Sequence, residues 1–278
     1  MGAELIITTV FTMLAILIVI SIIIKKQKKI KRRAELMSAD FPKKWEDIIK
    51  HNMSVYNHMP EQLQKQLKGH TLIFLEEKDF EGYKGVEITD EIKVTIAAQA
   101  SLLMLNRKNP TYYPKLWAVA VFPSAYIAKN TTQIGNVVIE GKSARLGESW
   151  NNGKLLLAWS HTKQGVSDYK DGQNLVVHEF AHQLDQEDGN ADGVPILEHG
   201  HKYNPWAKVF SKEYAKLQKD TDKSVKTVMD EYGTTNPAEF FAVASETFFE
   251  KGKQLKKKHP QLYQQLKDYY NVDPAQWF

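Results

Sequence analysis

The 278-residue chain contains no cysteine, which excludes disulfides and thiolate metal ligands, so any bound metal must be held by imidazole and carboxylate. The absence fits a reducing compartment without requiring one. A general basic surface is also missing. The formal net charge is +4, but seven of the 37 Lys and Arg residues crowd into positions 25–33. Setting those aside leaves 30 basic against 33 acidic side chains, a balance of about −3 that predicts no groove for nucleic acid. Internal repeats and low-complexity tracts are absent beyond the N-terminal segment. That segment lacks a positive n-region, and Ser21-Ile-Ile-Ile24 offers no small-x-small cleavage site, so it does not read as a cleaved signal peptide. Ile6 stands where myristoylation requires Ser or Thr.

What is present at the N-terminus is an uncharged stretch of 20 residues, Leu5 to Ile24. At 1.5 Å per residue it spans about 30 Å, the thickness of a bilayer core. The basic run from Lys25 to Arg33 follows directly, whereas only Glu4 and the amino terminus precede the stretch. The positive-inside rule then predicts a single-pass protein of the cell membrane with its bulk in the cytoplasm. The basic run can attract anionic headgroups, although a plain stop-transfer flank accounts for it equally well. Residues 1–33 are thus expected to be anchor and flank, and residues 34–278 one large domain with a substantial core.

The most informative motif is His178-Glu-Phe-Ala-His182, within Leu175-Val-Val-His-Glu-Phe-Ala-His-Gln-Leu-Asp185. Residues four apart on an α-helix differ by about 40° around the axis and about 6 Å along it, so both imidazoles can reach one tetrahedral metal. Glu179, rotated by about 100°, falls beside that metal, where a carboxylate can act as general base toward a water. Such a string arises by chance in roughly two chains per hundred of this composition. Its surroundings raise its weight: Leu175, Val176, Val177, Phe180, Ala181 and Leu184 describe a buried helix, on which two histidines and a glutamate are costly unless satisfied.

Elsewhere the pattern predicts a linker at Glu35–Asp40, then helices around Trp45–Ile49 and from Pro60 to Leu67. Thr71–Glu76 reads as a strand. A long helix runs from an N-cap at Thr89 through Leu105. Strands follow at Trp117–Phe122, Gly135–Ile139 and Leu155–Ser160, forming a small mixed or antiparallel sheet. The motif helix spans about Asp171–Glu187, with further helices near 204–219, 236–250 and 260–270. The class is α+β, mostly helical with a small central sheet behind one transmembrane helix. Leu155–Ser160, just before the motif helix, is the expected edge for aligning an extended substrate. Asp188-Gly-Asn-Ala-Asp-Gly193 opens like a calcium loop, but His199 stands at the twelfth position, so a polar loop is expected instead.

A catalytic zinc needs a third protein ligand, and Glu198, His199, His201, Glu213, Glu231, Glu239, Glu246 and His259 all lie downstream. Asn236-Pro-Ala-Glu239 looks like a helix start, with Asn236 as N-cap and Pro237 at the first position. Glu239 could therefore be a capping-box residue, and Glu246 lies two turns on along the same face. Either could ligate, or one could ligate while the other orients a histidine. Asp185, one turn past His182, is either a second orienting group or an exposed residue.

The blocks Phe74-Leu-Glu-Glu-Lys-Asp-Phe-Glu-Gly-Tyr-Lys-Gly-Val, Val94-Thr-Ile-Ala-Ala-Gln-Ala, Val177-His-Glu-Phe-Ala-His-Gln-Leu-Asp-Gln-Glu-Asp-Gly and Asn236-Pro-Ala-Glu-Phe-Phe-Ala-Val-Ala-Ser-Glu resemble the Mlc titration factor A family of zinc-dependent peptidases, over roughly residues 60–270. Tyr232-Gly-Thr-Thr-Asn-Pro-Ala-Glu239 is also similar to the end of the catalytic site in anthrax lethal factor. The resemblance implies a zincin-like domain holding Zn²⁺ by His178, His182 and Glu239, with Glu179 catalytic and Tyr232 stabilising an oxyanion. It implies a polypeptide substrate. The family name also implies an alternative, a protein that sequesters a cytoplasmic regulator such as a transcriptional repressor, with weak or incidental peptidase activity. Of these expectations, sidedness is the simplest to check. Reporters fused to the C-terminus should be active in the form that works only in the cytoplasm; activity of the exterior-only form would reverse the topology.

Overall fold

The computed structural model describes residues 2–124, 126–134, 137–145, 147–150, 153–167 and 171–277, with backbone alone considered from 126 to 150. Two compact units, residues 1–40 and 41–278, are described separately. The first is essentially one helix, α1 (Gly2–Ser38), whose part from Ile6 onward is long and apolar enough to cross a membrane. The linker expected at Glu35–Asp40 is mostly helix. Ala34, Glu35, Leu36 and Met37 are good helix formers, and no Pro or Gly interrupts them before Pro42.

The second unit begins with α2 (Lys43–Asn52) and α3 (Glu61–Glu77). Thr71–Glu76 is the last part of α3 and not a strand. Leu67, Thr71 and Phe74 are buried at helical spacing, and a short apolar run cannot by itself distinguish the two periods. β1 (Asp79–Gly82), unmarked by its polar sequence, leads to α4 (Asp90–Leu102). The Thr89 hydroxyl caps α4 by accepting from the Ile92 amide at 3.3 Å. The helix ends at Leu102, three residues short of the expected limit.

Strands β2 (Ala118–Phe122), β3 (Tyr126–Ile134), β4 (Val137–Arg145), β5 (Gly147–Trp150) and β6 (Lys154–Ala158) follow. The expected strand at 135–139 corresponds to the start of β4, with Gly135 and Asn136 outside the described residues. β3 and β4 form an antiparallel pair, and the main sheet has the order β1-β2-β6-β5. β1, β2 and β6 run parallel, while β5 is antiparallel to β6. β6 therefore lies between two strands and cannot offer an edge to a substrate, contrary to expectation. Its residues Leu155–Ala158 are fully apolar and buried, as an interior strand requires. Among the described residues, the edge strand on that side is β5.

After α5 (Trp159–Ser167) comes α6 (Leu175–Asp185), the motif helix, then α7 (Tyr203–Asp222), α8 (Pro237–Glu250), α9 (Gly252–Lys258) and α10 (Pro260–Tyr270). α6 packs against α4, α8, β5 and β6, so it is enclosed by both the helices and the sheet. Phe180 anchors it. Its ring meets Phe74 at 5.4 Å and Tyr113 at 4.7 Å between centroids, with no exposed surface. α8 is held by Phe240 and Phe241 against Phe210 and Trp206 of α7. Truncating Phe180→Ala should cost about 3–5 kcal/mol, since the surrounding aromatic cluster cannot collapse into the gap. Urea unfolding measures this, and a loss below about 1 kcal/mol would show that Phe180 is not the anchor of α6.

Candidate metal centre

α6 starts at Asn174, whose side-chain oxygen accepts from the Val177 amide at 3.0 Å and so fixes the first turn. From there His178 and His182 fall one turn apart on the face toward α8. The α8 start is set in the same manner: Asn236 accepts from the Glu239 amide at 3.0 Å, with Pro237 in the first turn. A loop joins the two helices structurally. Asp185, fully buried at the end of α6, accepts from the Gly193 amide at 3.0 Å. Gly193 in turn lies so close to the Pro237 carbonyl that a Cβ would sit 2.3 Å from its oxygen, at a φ of +78°. Asp185 is thus neither exposed nor bonded to an imidazole; it ties the end of α6 to the start of α8.

These constraints bring three ligand atoms together. Glu239 Oε2 lies 3.0 Å from His178 Nε2 and 3.2 Å from His182 Nε2, and the two nitrogens are 3.2 Å apart. A tetrahedral zinc with ligands at about 2.0–2.1 Å would space them about 3.3 Å apart, so the donor set fits such an ion. His178, His182 and Glu239 form the one group among the described residues that meets the geometric requirement for a metal. Glu246, two turns along α8, takes the other side of His178, with Oε1 2.7 Å from Nδ1. It thereby fixes which ring nitrogen faces Glu239.

The electrostatics follow from crowding charges in a dry volume. Burial opposes a charged His178, but Glu246 and Glu239 outweigh it and hold its pKa well above the usual histidine range. Burial likewise opposes ionised Glu239, yet the two imidazoles pull its carboxyl down to about 2. Glu179 shifts upward: burial dominates, the histidines only partly offset it, and Glu239 and Glu246 add repulsion. Only 6% exposed, Glu179 makes no hydrogen bond to protein among the described residues. A largely buried carboxyl with a raised pKa is chemically suited to exchanging a proton. Tyr232, half-exposed, stands 6.0 Å from His178 between ring centroids, on a short turn held by Asp230 at 2.8 Å. Partial burial and the charges of Glu239 and Glu179 raise its pKa, so its hydroxyl keeps its proton and remains a donor.

Residues 27–271 match the sequence profile of the glucose-regulated metallo-peptidase M90 family. The chain belongs to this family. An uncharacterized protein of Synechocystis is 40% identical to it over 246 residues, covering 87% of the chain and 89% of that protein. Mlc titration factor A of Yersinia pestis is 28% identical with the same coverage on both sides. That of Pectobacterium atrosepticum is 36% identical over 56% of the chain and 59% of its own length.

In this M90 family member the downstream acids and histidines sort clearly. Glu239 and Glu246 reach the histidines, one on each side of His178. Glu213 and His259 instead pair with each other at 2.7 Å, buried elsewhere in the core. Glu198 is taken up by Lys202 and Lys108. His199 and His201 stack on one another at 5.5 Å. The role of Asn174 was not anticipated, although a polar residue just before an apolar helical run is an N-cap signal. Metal binding must displace the proton that the carboxylates hold on His178, so affinity should rise with pH, and loading at neutral pH should release a proton. Calorimetric titration of metal-free protein with zinc in two buffers of different ionisation enthalpy should give unequal heats; equal heats would mean that the imidazole is already neutral.

Proposed function

We propose that the chain is a zinc metallopeptidase anchored by α1 at the inner face of the cell membrane, with residues 34–278 as its catalytic domain in the cytoplasm. The observation that carries this reading is the His178–His182–Glu239 triangle, with the largely buried Glu179 on the same helix. The three residues of the triangle would hold the ion, which supplies Lewis acidity toward water and the scissile carbonyl. Glu179 takes the proton of the attacking water, which its raised pKa suits, and passes it to the leaving amine. Tyr232 donates its hydroxyl to the oxygen on which charge develops, as the likeness to anthrax lethal factor implies. An extended polypeptide pairs with the free edge of β5, which packs on α6.

A second reading draws on the name of two relatives, Mlc titration factor A. There the chain would capture a cytoplasmic regulatory protein, and hydrolysis would be incidental. Glu179→Ala separates the two. On the peptidase reading the variant retains its metal and loses hydrolysis of an unfolded protein substrate by about 10²–10⁴-fold. Tyr232→Phe should lower kcat by on the order of 10² with KM nearly unchanged. Partner capture that survives Glu179→Ala, with no cleaved product from the wild type, favours sequestration. Metal analysis finding no zinc in the wild-type protein would overturn the peptidase reading.

A further inference from the structure

Three acids on α8, Glu239, Glu246 and Glu250, are spaced by seven and four residues, which places them along one face of the helix. The first two meet the histidines. The third, 3% exposed, lies deeper and meets Asn174: the Asn174 side-chain amide donates to Glu250 Oε1 at 3.0 Å. Asn174 is the N-cap of α6, and its backbone amide donates to Glu246 Oε2 at 2.6 Å. Glu246 Oε1 then reaches His178 Nδ1 at 2.7 Å. The result is an unbroken chain of contacts from Glu250 through Asn174 and Glu246 to a metal-facing imidazole.

Each link constrains a different degree of freedom. Glu250 fixes the rotamer of Asn174, leaving its oxygen free to cap Val177. The cap sets where α6 begins, and hence the height and rotation of His178, Glu179 and His182 relative to α8. The backbone bond to Glu246 stops that carboxylate from swinging away from the ring. At the opposite end, Asp185, Gly193 and Pro237 hold the same two helices together, so α6 is braced on α8 at both termini. A metal site tolerates errors of only about 0.5 Å, and rigid bracing at both ends is what such tolerance requires. Stability alone is a poor reason for Glu250, because a carboxyl this deeply buried is costly to place in a core. Burial, partly offset by the Asn174 hydrogen bond and reinforced by the charge of Glu246, also pushes its carboxyl well above the usual range.

We propose that Glu250 and Asn174 are positioning residues of the metal centre, fixing the ring of His178 through Glu246. The inference rests on the metal-site reading above, and its test distinguishes the two. Zinc affinity of the full chain is measured by chelator competition for the wild type, Glu250→Ala, Glu250→Gln and Asn174→Ser, together with the visible spectrum of the cobalt-loaded forms and the melting temperature of the metal-free forms. Serine keeps the N-cap acceptor but loses the donor to Glu250, and glutamine keeps an acceptor for Asn174. Glu250→Ala and Asn174→Ser should bind zinc about tenfold more weakly and shift the cobalt spectrum, whereas Glu250→Gln should stay within about twofold of wild type. Should Glu250→Ala fail to fold, Asn174→Ser and Glu250→Gln still decide. Affinity and spectrum unchanged in Asn174→Ser, or lost in Glu250→Gln, would overturn the positioning role while leaving the metal site intact. A wild type that binds no zinc would instead bring down the metal-site reading itself.

Discussion

The structure depends on a charge problem that it concentrates in one place. Glu179, Glu239 and Glu246 share a desolvated volume with two imidazoles, between α6 and α8. Burial and the repulsion of neighbouring acids raise the carboxyls of Glu179 and Glu246, whereas the imidazoles pull that of Glu239 down, so the acids and histidines must share protons or positive charge. The neighbouring acids raise the pKa of His178 and so favour a positive charge on its ring. A divalent cation supplies more and frees both imidazoles to be ligands. The donor set is thus arranged so that a metal ion could be held there, and the helices around it must be rigid enough to keep that arrangement.

That rigidity is assembled from apolar packing and a few polar ties. Phe180 locks the back of α6 into the core, and Phe240 and Phe241 lock α8 onto α7. Packing of this kind resists separation but resists sliding and rotation less well, because apolar contacts have no direction. Directional bonds complete the specification: the caps at Asn174 and Asn236, and the Asp185 bond that ties the Gly193 loop against Pro237. Gly193 is required at its position, since any side chain would meet the Pro237 backbone and force the helices apart.

Much of this was legible in the sequence, for identifiable reasons. The His178–His182 pair could be read because a spacing of four has one geometric meaning on a helix. The caps at Thr89 and Asn236 could be read because they rest on local bonds. Glu239 and Glu246 could not be ranked from spacing, since seven residues return to the same face and only the placement of α6 decides which carboxylate meets which nitrogen. Resemblance, and not periodicity, singled out Tyr232, whose turn has no regular pattern. Thr71–Glu76 misled as a strand because its apolar run is too short to reveal the period of α3. The role of β6 was misjudged because strand order is a long-range property: nothing within Leu155–Ala158 tells that β5 folds back to cover one side of it.

The buried glutamates also bear on whether the chain cuts or merely captures its partner. A capturing surface gains nothing from Glu179. Without a protein hydrogen bond and nearly out of water, this carboxylate costs folding energy and presents almost no area to a ligand. A capturing surface would be better served by an amide or an aliphatic side chain at that point. On the peptidase proposal that cost has a use, because a general base must take up and release a proton there. The half-exposed Tyr232 hydroxyl points to the same conclusion. A donor at the rim of a metal site adds little to the binding of a neutral peptide, but strengthens as charge appears on the carbonyl oxygen. The proposed hydrolysis thus gives both residues a use, and capture alone gives Glu179 none.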